Sequence, residues 1–162
     1  MKKFSFVIVG TLFLLMSCRT TTPSFYQNET QCLGVEMDGS QTLVAWGKGR
    51  YWQDGADQAK KNAVRDVIFK GLLIGADKNG CNEKPLLLEV NAREKYEDYF
   101  NAFFKDGGEY KNFVSLKDER IGKRILRKRN SRNQDETTYR IVVRVKRAEL
   151  REKLINDGIL KK

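Results

Sequence analysis

Nucleophiles, proton carriers and metal ligands are few in kind along this chain. It holds three cysteines, Cys18, Cys32 and Cys81, and no histidine. The lack of histidine removes the usual general base at neutral pH, the usual zinc ligand, and every Ser-His-Asp or Cys-His arrangement. Carboxylates remain. Glu94, Glu97 and Asp98 fall close together, as do Asp118 and Glu119. Paired carboxyls can cut glycosidic bonds, so a carboxylate-dependent glycan hydrolase is one reading. Each group lies beside lysines or arginines, however, and a solvated, salt-bridged surface accounts for it better. Gly47-Lys48-Gly49 fits neither the G-x-x-x-x-G-K-[ST] nor the G-x-G-x-x-G phosphate pattern, because Arg50-Tyr51-Trp52 follow. It reads as a bulge or strand exit. No catalytic residue, cofactor or metal site is assigned.

Cys18 carries chemistry of another sort. Lys2 and Lys3 precede an almost wholly apolar run over residues 4–16, and Leu15-Met16-Ser17-Cys18 closes it. The run is too short to cross a bilayer and reads as a secretory signal. It also resembles the lipobox of bacterial lipoproteins. That resemblance implies a thioether-linked diacylglycerol on Cys18, removal of residues 1–17 and acylation, palmitate included, of the new amino terminus. The plainer alternative is an ordinary cleaved signal peptide with Cys18 an incidental thiol. Each buried acyl methylene contributes about 0.8 kcal/mol, so two or three chains would hold the protein on a membrane. Arg19 is not the acidic residue linked with inner-membrane retention, so an outer-membrane lipoprotein facing the periplasm is expected. Residues 19–29 are polar, include Pro23 and show no periodicity, as a tether would.

Lipidation of Cys18 leaves Cys32 and Cys81 as an even pair in a compartment where disulfides persist. A bridge between them is favoured on parity and compartment; two free, buried thiols are the alternative. Loss of Lys2 and Lys3 with the signal lowers the formal charge of the chain from +10 to +8. Such a balance suits anionic lipid head groups, acidic glycans or an acidic protein face, and secretion makes nucleic acid the least favoured partner.

Periodicity then supplies the elements. A strand is expected over residues 41–47 and a helix from Asp54, as N-cap, to about Leu73. Its stripe of Ala56, Ala59, Ala63, Val67 and Ile68 faces a sheet, with Lys60, Lys61 and Arg65 turned away. Residues 75–84 read as a loop, and residues 85–90 as either strand or helix. A second helix starts at Ala92, its Tyr96, Tyr99, Phe100, Phe103 and Phe104 forming core, and ends at Gly107-Gly108. A strand over residues 120–128 and another over 138–146 form an antiparallel hairpin. Tyr139, Ile141, Val143 and Val145 make its buried face; Arg140, Val142, Arg144 and Lys146 make a wet one. A last helix over residues 148–156 packs Leu150, Leu154 and Ile155 inward and stops at Gly158. The order β-α-α-β-β-α predicts a single α+β domain over residues 31–162, an antiparallel or mixed sheet with helices packed on one side.

The hairpin concentrates positive charge. Lys123, Arg124, Arg127, Lys128, Arg129 and Arg132 lie on or beside one strand, opposite Arg140, Arg144, Lys146 and Arg147. Paired, they make a ribbon for an anion or an acidic partner. Charges on sheet edges also guard against aggregation, and that reading stands beside it.

The run Val44-Ala45-Trp46-Gly47-Lys48-Gly49, followed by an alanine-striped helix, resembles the small envelope domain of the LPP20-like lipoproteins and the amino-terminal domain of the flagellar protein FlgT. About half of the mature chain is covered. The aromatic helix from Ala92 and the Cys32/Cys81 pair depart from that pattern. The resemblance implies an assembly or scaffolding module with no catalytic residues to transfer. Three functions are thus expected in descending order: a non-catalytic, membrane-anchored assembly component with an envelope protein partner, a polyanion- or cell-wall-binding module using the basic hairpin, and the hydrolase.

Overall fold

The computed structural model describes residues 30–74, 81, 83–116, 125–130 and 137–161. Cys18, the signal and the tether up to residue 29 lie outside the described residues, as do Lys123, Arg124, Arg132, Asp118 and Glu119. Among the described residues, no helix is long and apolar enough to cross a membrane.

Among the described residues, eleven elements follow one another: β1 (Gln31–Val35), β2 (Gln41–Gly49), α1 (Trp52–Phe69), β3 (Leu73–Ile74), α2 (Ala92–Lys95), α3 (Glu97–Phe103), a 3-10 turn (Glu109–Phe113), β4 (Val114–Leu116), β5 (Ile125–Asn130), β6 (Thr137–Val145) and α4 (Arg147–Asn156). The architecture is α+β, as the sequence pattern requires. The sheet runs β3-β1-β2-β6-β4, with β5 also on β6. Strand β6 is its spine. One edge pairs along its full length with β2, and the other is shared, Val143–Val145 with β4 and Thr137–Ile141 with β5. All of these pairings are antiparallel; β1 and β3 pair in parallel, so the sheet is mixed.

The expected hairpin is present, and Tyr139, Ile141, Val143 and Val145 are all buried. Three short strands, β1, β3 and β4, were not foreseen. β3 and β4 have two and three residues, too few to show a period, and β1 carries an irregularity between Cys32 and Gly34. Their neighbours in space define them.

Helix α1 begins at Trp52, two residues before the expected start. Asp54 is not the N-cap. It lies in the first turn, where its Oδ2 accepts the backbone N–H of Tyr51 at 3.2 Å and its charge favours the positive helix end. The expected stripe is correct: Ala56, Ala59, Ala63, Val67 and Ile68 are buried, joined by Gly55 and Val64. Burial of each of Val64, Val67 and Ile68 contributes about 1.5–3 kcal/mol. The helix ends at Phe69 rather than Leu73 because Gly71 takes φ +80°, a conformation open to glycine.

Gly47-Lys48-Gly49 is neither a bulge nor an exit. It continues β2, with Gly47 opposite Tyr139, Lys48 opposite Thr138 and Gly49 opposite Thr137. A Cβ at Gly47 would stand 2.0 Å from the Gly55 carbonyl oxygen and 2.5 Å from the Ala59 nitrogen. The glycine exists because the backbone of α1 rests directly on the strand.

Residues 85–90 are neither strand nor helix. Leu86 and Leu87 are buried and donate backbone N–H groups to the carbonyls of Val67 and Ile68, at 3.1 and 2.9 Å, while Leu88 and Val90 are exposed. The second expected helix is two short ones, α2 and α3, separated at Tyr96. Segments of four and seven residues do not persist alone. Aromatic packing holds them: Phe100 meets Phe69 edge-on at 4.7 Å, Phe103 stacks on Tyr99 at 5.8 Å and on Phe113 at 6.1 Å. In α4, Leu150 and Leu154 are fully buried; Ile155 is only half-buried, which corrects its assignment inward. Gly158, at φ +72°, follows the helix as expected.

The Cys32–Cys81 disulfide is formed, with the two Cα atoms 5.5 Å apart and a sequence separation of 49. It joins the buried centre of β1 to the chain beyond β3. Thr30, at the end of the expected tether, is itself buried, and its hydroxyl donates to Asp66 of α1 at 2.5 Å.

Candidate functional site

The face of the sheet turned from α1 is where β6 displays its alternate residues. Cross-strand pairing aligns Thr42 with Arg144, Val44 with Val142, Trp46 with Arg140 and Lys48 with Thr138. Strand β5 sets Arg127 opposite Arg140 and Arg129 opposite Thr138, whereas Lys128 stands opposite Tyr139, on the register of the buried face. Of the expected ribbon, Arg127 thus stands in register with Arg140, and Arg144 pairs with Ser115 of β4, while Lys123, Arg124 and Arg132 lie outside the described residues.

Its described cations are mostly engaged. Arg144 lies 3.4 Å from Glu36, whose carboxylate also accepts the Thr42 hydroxyl at 2.6 Å. Lys146 pairs with Glu149 at 3.0 Å across one turn. Arg147 donates to the Lys84 carbonyl at 2.7 Å and lies 3.7 Å from Glu83, so it ties the chain beyond the disulfide to α4. Burial lowers the Arg147 pKa, with Glu83 acting against that shift. Arg140 differs. It lies over the Trp46 ring at 6.0 Å and, among the described residues, donates to the Gln31 side-chain oxygen at 3.5 Å without an ion-pair contact.

Nor is the face uniformly wet. Val44 and Val142 are 0 % and 6 % exposed, and Arg140 and Arg144 are half-buried.

Two clefts lie on the other side of the molecule, around the exposed flank of α1. The larger, about 300 Å³, has Lys48, Lys61 and Lys111 against Asp54, Asp57 and Asp106. Four of these charges are paired: Asp57 meets Lys111 at 3.1 Å, and Lys60 from outside the cleft at 2.6 Å, and Lys61 meets Asp106 at 3.0 Å. Partial burial would raise the Asp57 pKa, but the hydrogen bonds from Lys60 and Lys111 outweigh it and hold the carboxyl below its usual range. A glycosidase general acid needs the opposite shift. Glu94, Glu97 and Asp98, the carboxylates singled out by spacing, are exposed on α2 and α3.

The smaller cleft, about 200 Å³, lies between α1 and the aromatic layer. Lys61, Arg65 and Phe69 descend one side at steps of four residues; Phe100, Asn101 and Phe104 form the other, and Arg93 stands at its rim. Arg65 lies over the Phe104 ring at 5.5 Å. Its pKa is lowered, first by burial and then by repulsion from Arg93. This cleft was not foreseen, because Lys61 and Arg65 read as the solvated side of α1 and the phenylalanines as core. The signal was there in the Lys61, Arg65, Phe69 spacing, but only the fold brings Arg93 and Phe104 to it.

Among the described residues, no group of three or more His, Cys, Asp or Glu side chains is placed to hold a metal ion. Comparison of the chain with protein-family models, curated proteins and solved structures gives no match.

Proposed function

We propose that this protein is a membrane-tethered lipoprotein of the bacterial envelope, and that its α+β domain is a non-catalytic assembly component binding a protein partner. The observation that carries this reading is the order of features at the amino terminus. Basic residues, a short apolar run and Leu15-Met16-Ser17-Cys18 precede a polar stretch, and packed structure is in place by Thr30. The domain would sit on the periplasmic side of the outer membrane, held by acyl chains on Cys18. Its partner surface is the sheet face bearing Trp46 and Arg140, where an aromatic ring and a guanidinium lie together. Tryptophan and arginine are the residue types that most often dominate protein interfaces. The resemblance to LPP20-like lipoproteins agrees with this role.

Polyanion or cell-wall binding by the β5–β6 ribbon is the second reading. Arg140, and the register of Arg127 and Arg129 beside it, favour it. The pairing of Arg144, Lys146 and Arg147 with carboxylates weighs against it.

Palmitate labelling and crosslinking test both. Wild-type protein incorporates labelled palmitate in cells and Cys18→Ala does not; labelling that survives the substitution defeats the lipoprotein reading. A photo-crosslinking residue at Trp46 captures one dominant envelope protein through moderate salt. Recovery of wall glycan or lipid alone, lost steeply with salt, transfers the surface to the second reading.

A further inference from the structure

We propose that the cleft formed by Lys61, Arg65 and Arg93 over the Phe69–Phe100–Phe104 floor is a binding site for a phosphate group carried on a small organic ligand. The inference is separate from the envelope-assembly reading and stands on a different side of the domain.

The contrast between the two adjoining clefts carries it. The larger one holds three carboxylates beside its three ammonium groups, and two of the pairs, Lys61 with Asp106 and Lys111 with Asp57, are in ion-pair contact. The smaller is lined by three cations and no carboxylate. Lys61 is shared between them and has Asp106 as its partner. Among the described residues, Arg65 and Arg93 have no ion-pair partner. Asp66, next to Arg65 in sequence, offsets part of the lowering of the Arg65 pKa through its charge. Its carboxylate oxygens, however, accept the Thr30 hydroxyl at 2.5 Å and lie 3.8 Å from Lys70, with no ion-pair contact to Arg65. Two guanidinium groups that repel each other, one of them half-buried, are an arrangement that an anion relieves.

Geometry narrows the anion. Guanidinium forks match the oxygens of phosphate and can donate in pairs, while Lys61, paired with Asp106, lines the same wall. A carboxylate would leave much of that charge unmatched. The volume of about 200 Å³ is below the range of pockets that enclose a drug-sized ligand. It holds the phosphate and the atoms next to it, with the rest of the ligand lying outward. Phe69, Phe100 and Phe104 supply an apolar surface on which a carbon skeleton can rest, and Asn101 adds an amide at the edge. The same chemistry describes a soluble phosphate monoester and a phosphatidic acid head group.

The test uses the full chain as purified from cells in detergent micelles, with inorganic phosphate as the probe and phosphorus NMR line broadening as the readout. Saturable binding is expected, weakened about tenfold by Arg93→Gln and about tenfold by Arg65→Gln, the loss from one charge-assisted hydrogen-bonding group. Lys111→Gln, in the self-neutralised cleft, leaves it unchanged. Arg93 is exposed, so its substitution reads binding even if Arg65→Gln loosens the packing over Phe104. Displacement of the probe by glycerol phosphate but not by short-chain phosphatidic acid assigns a soluble ligand; the reverse assigns a lipid head group. The proposal is overturned by an absence of saturable binding. It is equally overturned by binding that survives Arg93→Gln, or by an equal loss in Lys111→Gln, which would report net charge only.

Discussion

Reduction of the Cys32–Cys81 disulfide is the perturbation whose size can be worked most directly. The bridge closes a chain segment of 49 residues' separation, and β1 is otherwise held by β2 and the two-residue β3. In the chain-entropy model a loop of this length restricts the unfolded chain by about 4 kcal/mol at 25 °C. That is a large share of the roughly 5–15 kcal/mol that stabilises a typical domain. For a domain of this size, each kcal/mol shifts the melting temperature by about 4 °C, so reduction should lower it by about 15 °C. Comparing oxidised and reduced wild-type protein is cleaner than replacing the cysteines, because Cys32 is fully buried and truncation would add a packing loss. Circular-dichroism melts with and without a phosphine reductant give the difference, and alkylation followed by intact-mass measurement confirms the state of the two thiols. A difference below about 3 °C would refute the reasoning. It would mean that the unfolded chain already keeps β1 near residue 81, or that the bridge opposes native packing as much as it restricts the unfolded state.

Two further substitutions probe other parts of the fold. Gly47→Ala places a methyl group against the Gly55 carbonyl and the Ala59 nitrogen, both backbone atoms that no rotamer change can move aside. It should destabilise by about 3 kcal/mol, the upper part of the range for overpacking, and a chemical-denaturation midpoint equal to wild type would disprove the close approach. Asp157 gives a pH signature. Partial burial raises its pKa, but the Tyr99 hydroxyl at 2.6 Å and the Lys153 ammonium at 3.0 Å outweigh it and hold the carboxyl below 3.8. A depressed folded-state pKa stabilises above the unfolded value and is lost as pH falls through the folded one. Asp157→Asn should therefore melt lower than wild type near neutral pH and converge with it as the pH drops below about 4. Parallel melting curves across that range would show that the contact has no energetic weight.

Local periodicity carried a good deal of this fold. The alternation over residues 138–146 specifies the spine strand and the faces of its side chains, since a slip of one residue would turn Tyr139, Ile141, Val143 and Val145 to solvent. The alanine stripe of α1 specifies which side meets the sheet; the Cys32–Cys81 bridge was favoured only on the expectation that Cys18 is lipidated, and its formation is seen in the tertiary structure. β1, β3 and β4 were illegible for the same physical reason. A strand of two or three residues has no period, and hydrogen bonds to distant partners define it. The Gly47-Lys48-Gly49 segment was misread because glycine signals an unusual backbone approach without saying whether a turn, a ligand or another helix makes it.

Charge shows the division most sharply. The sequence by itself determined that the chain is basic and lacks histidine, and it marked Cys18 and a cationic strand pair as the places to look. It did not determine which cations are free. Neutralisation depends on distances of a few ångströms between residues far apart in the chain, and only the tertiary structure sets these. Packing brought Glu36 to Arg144 and Glu83 to Arg147, which engages two of the described cations at and beyond the end of β6. It also brought Arg93 to Arg65 above an aromatic floor, while Asp66 makes its direct contacts with Thr30 and Lys70. Periodicity is local and can be read along the chain; electrostatic pairing is a property of space, because the Coulomb energy depends on separation and burial, and not on position in sequence.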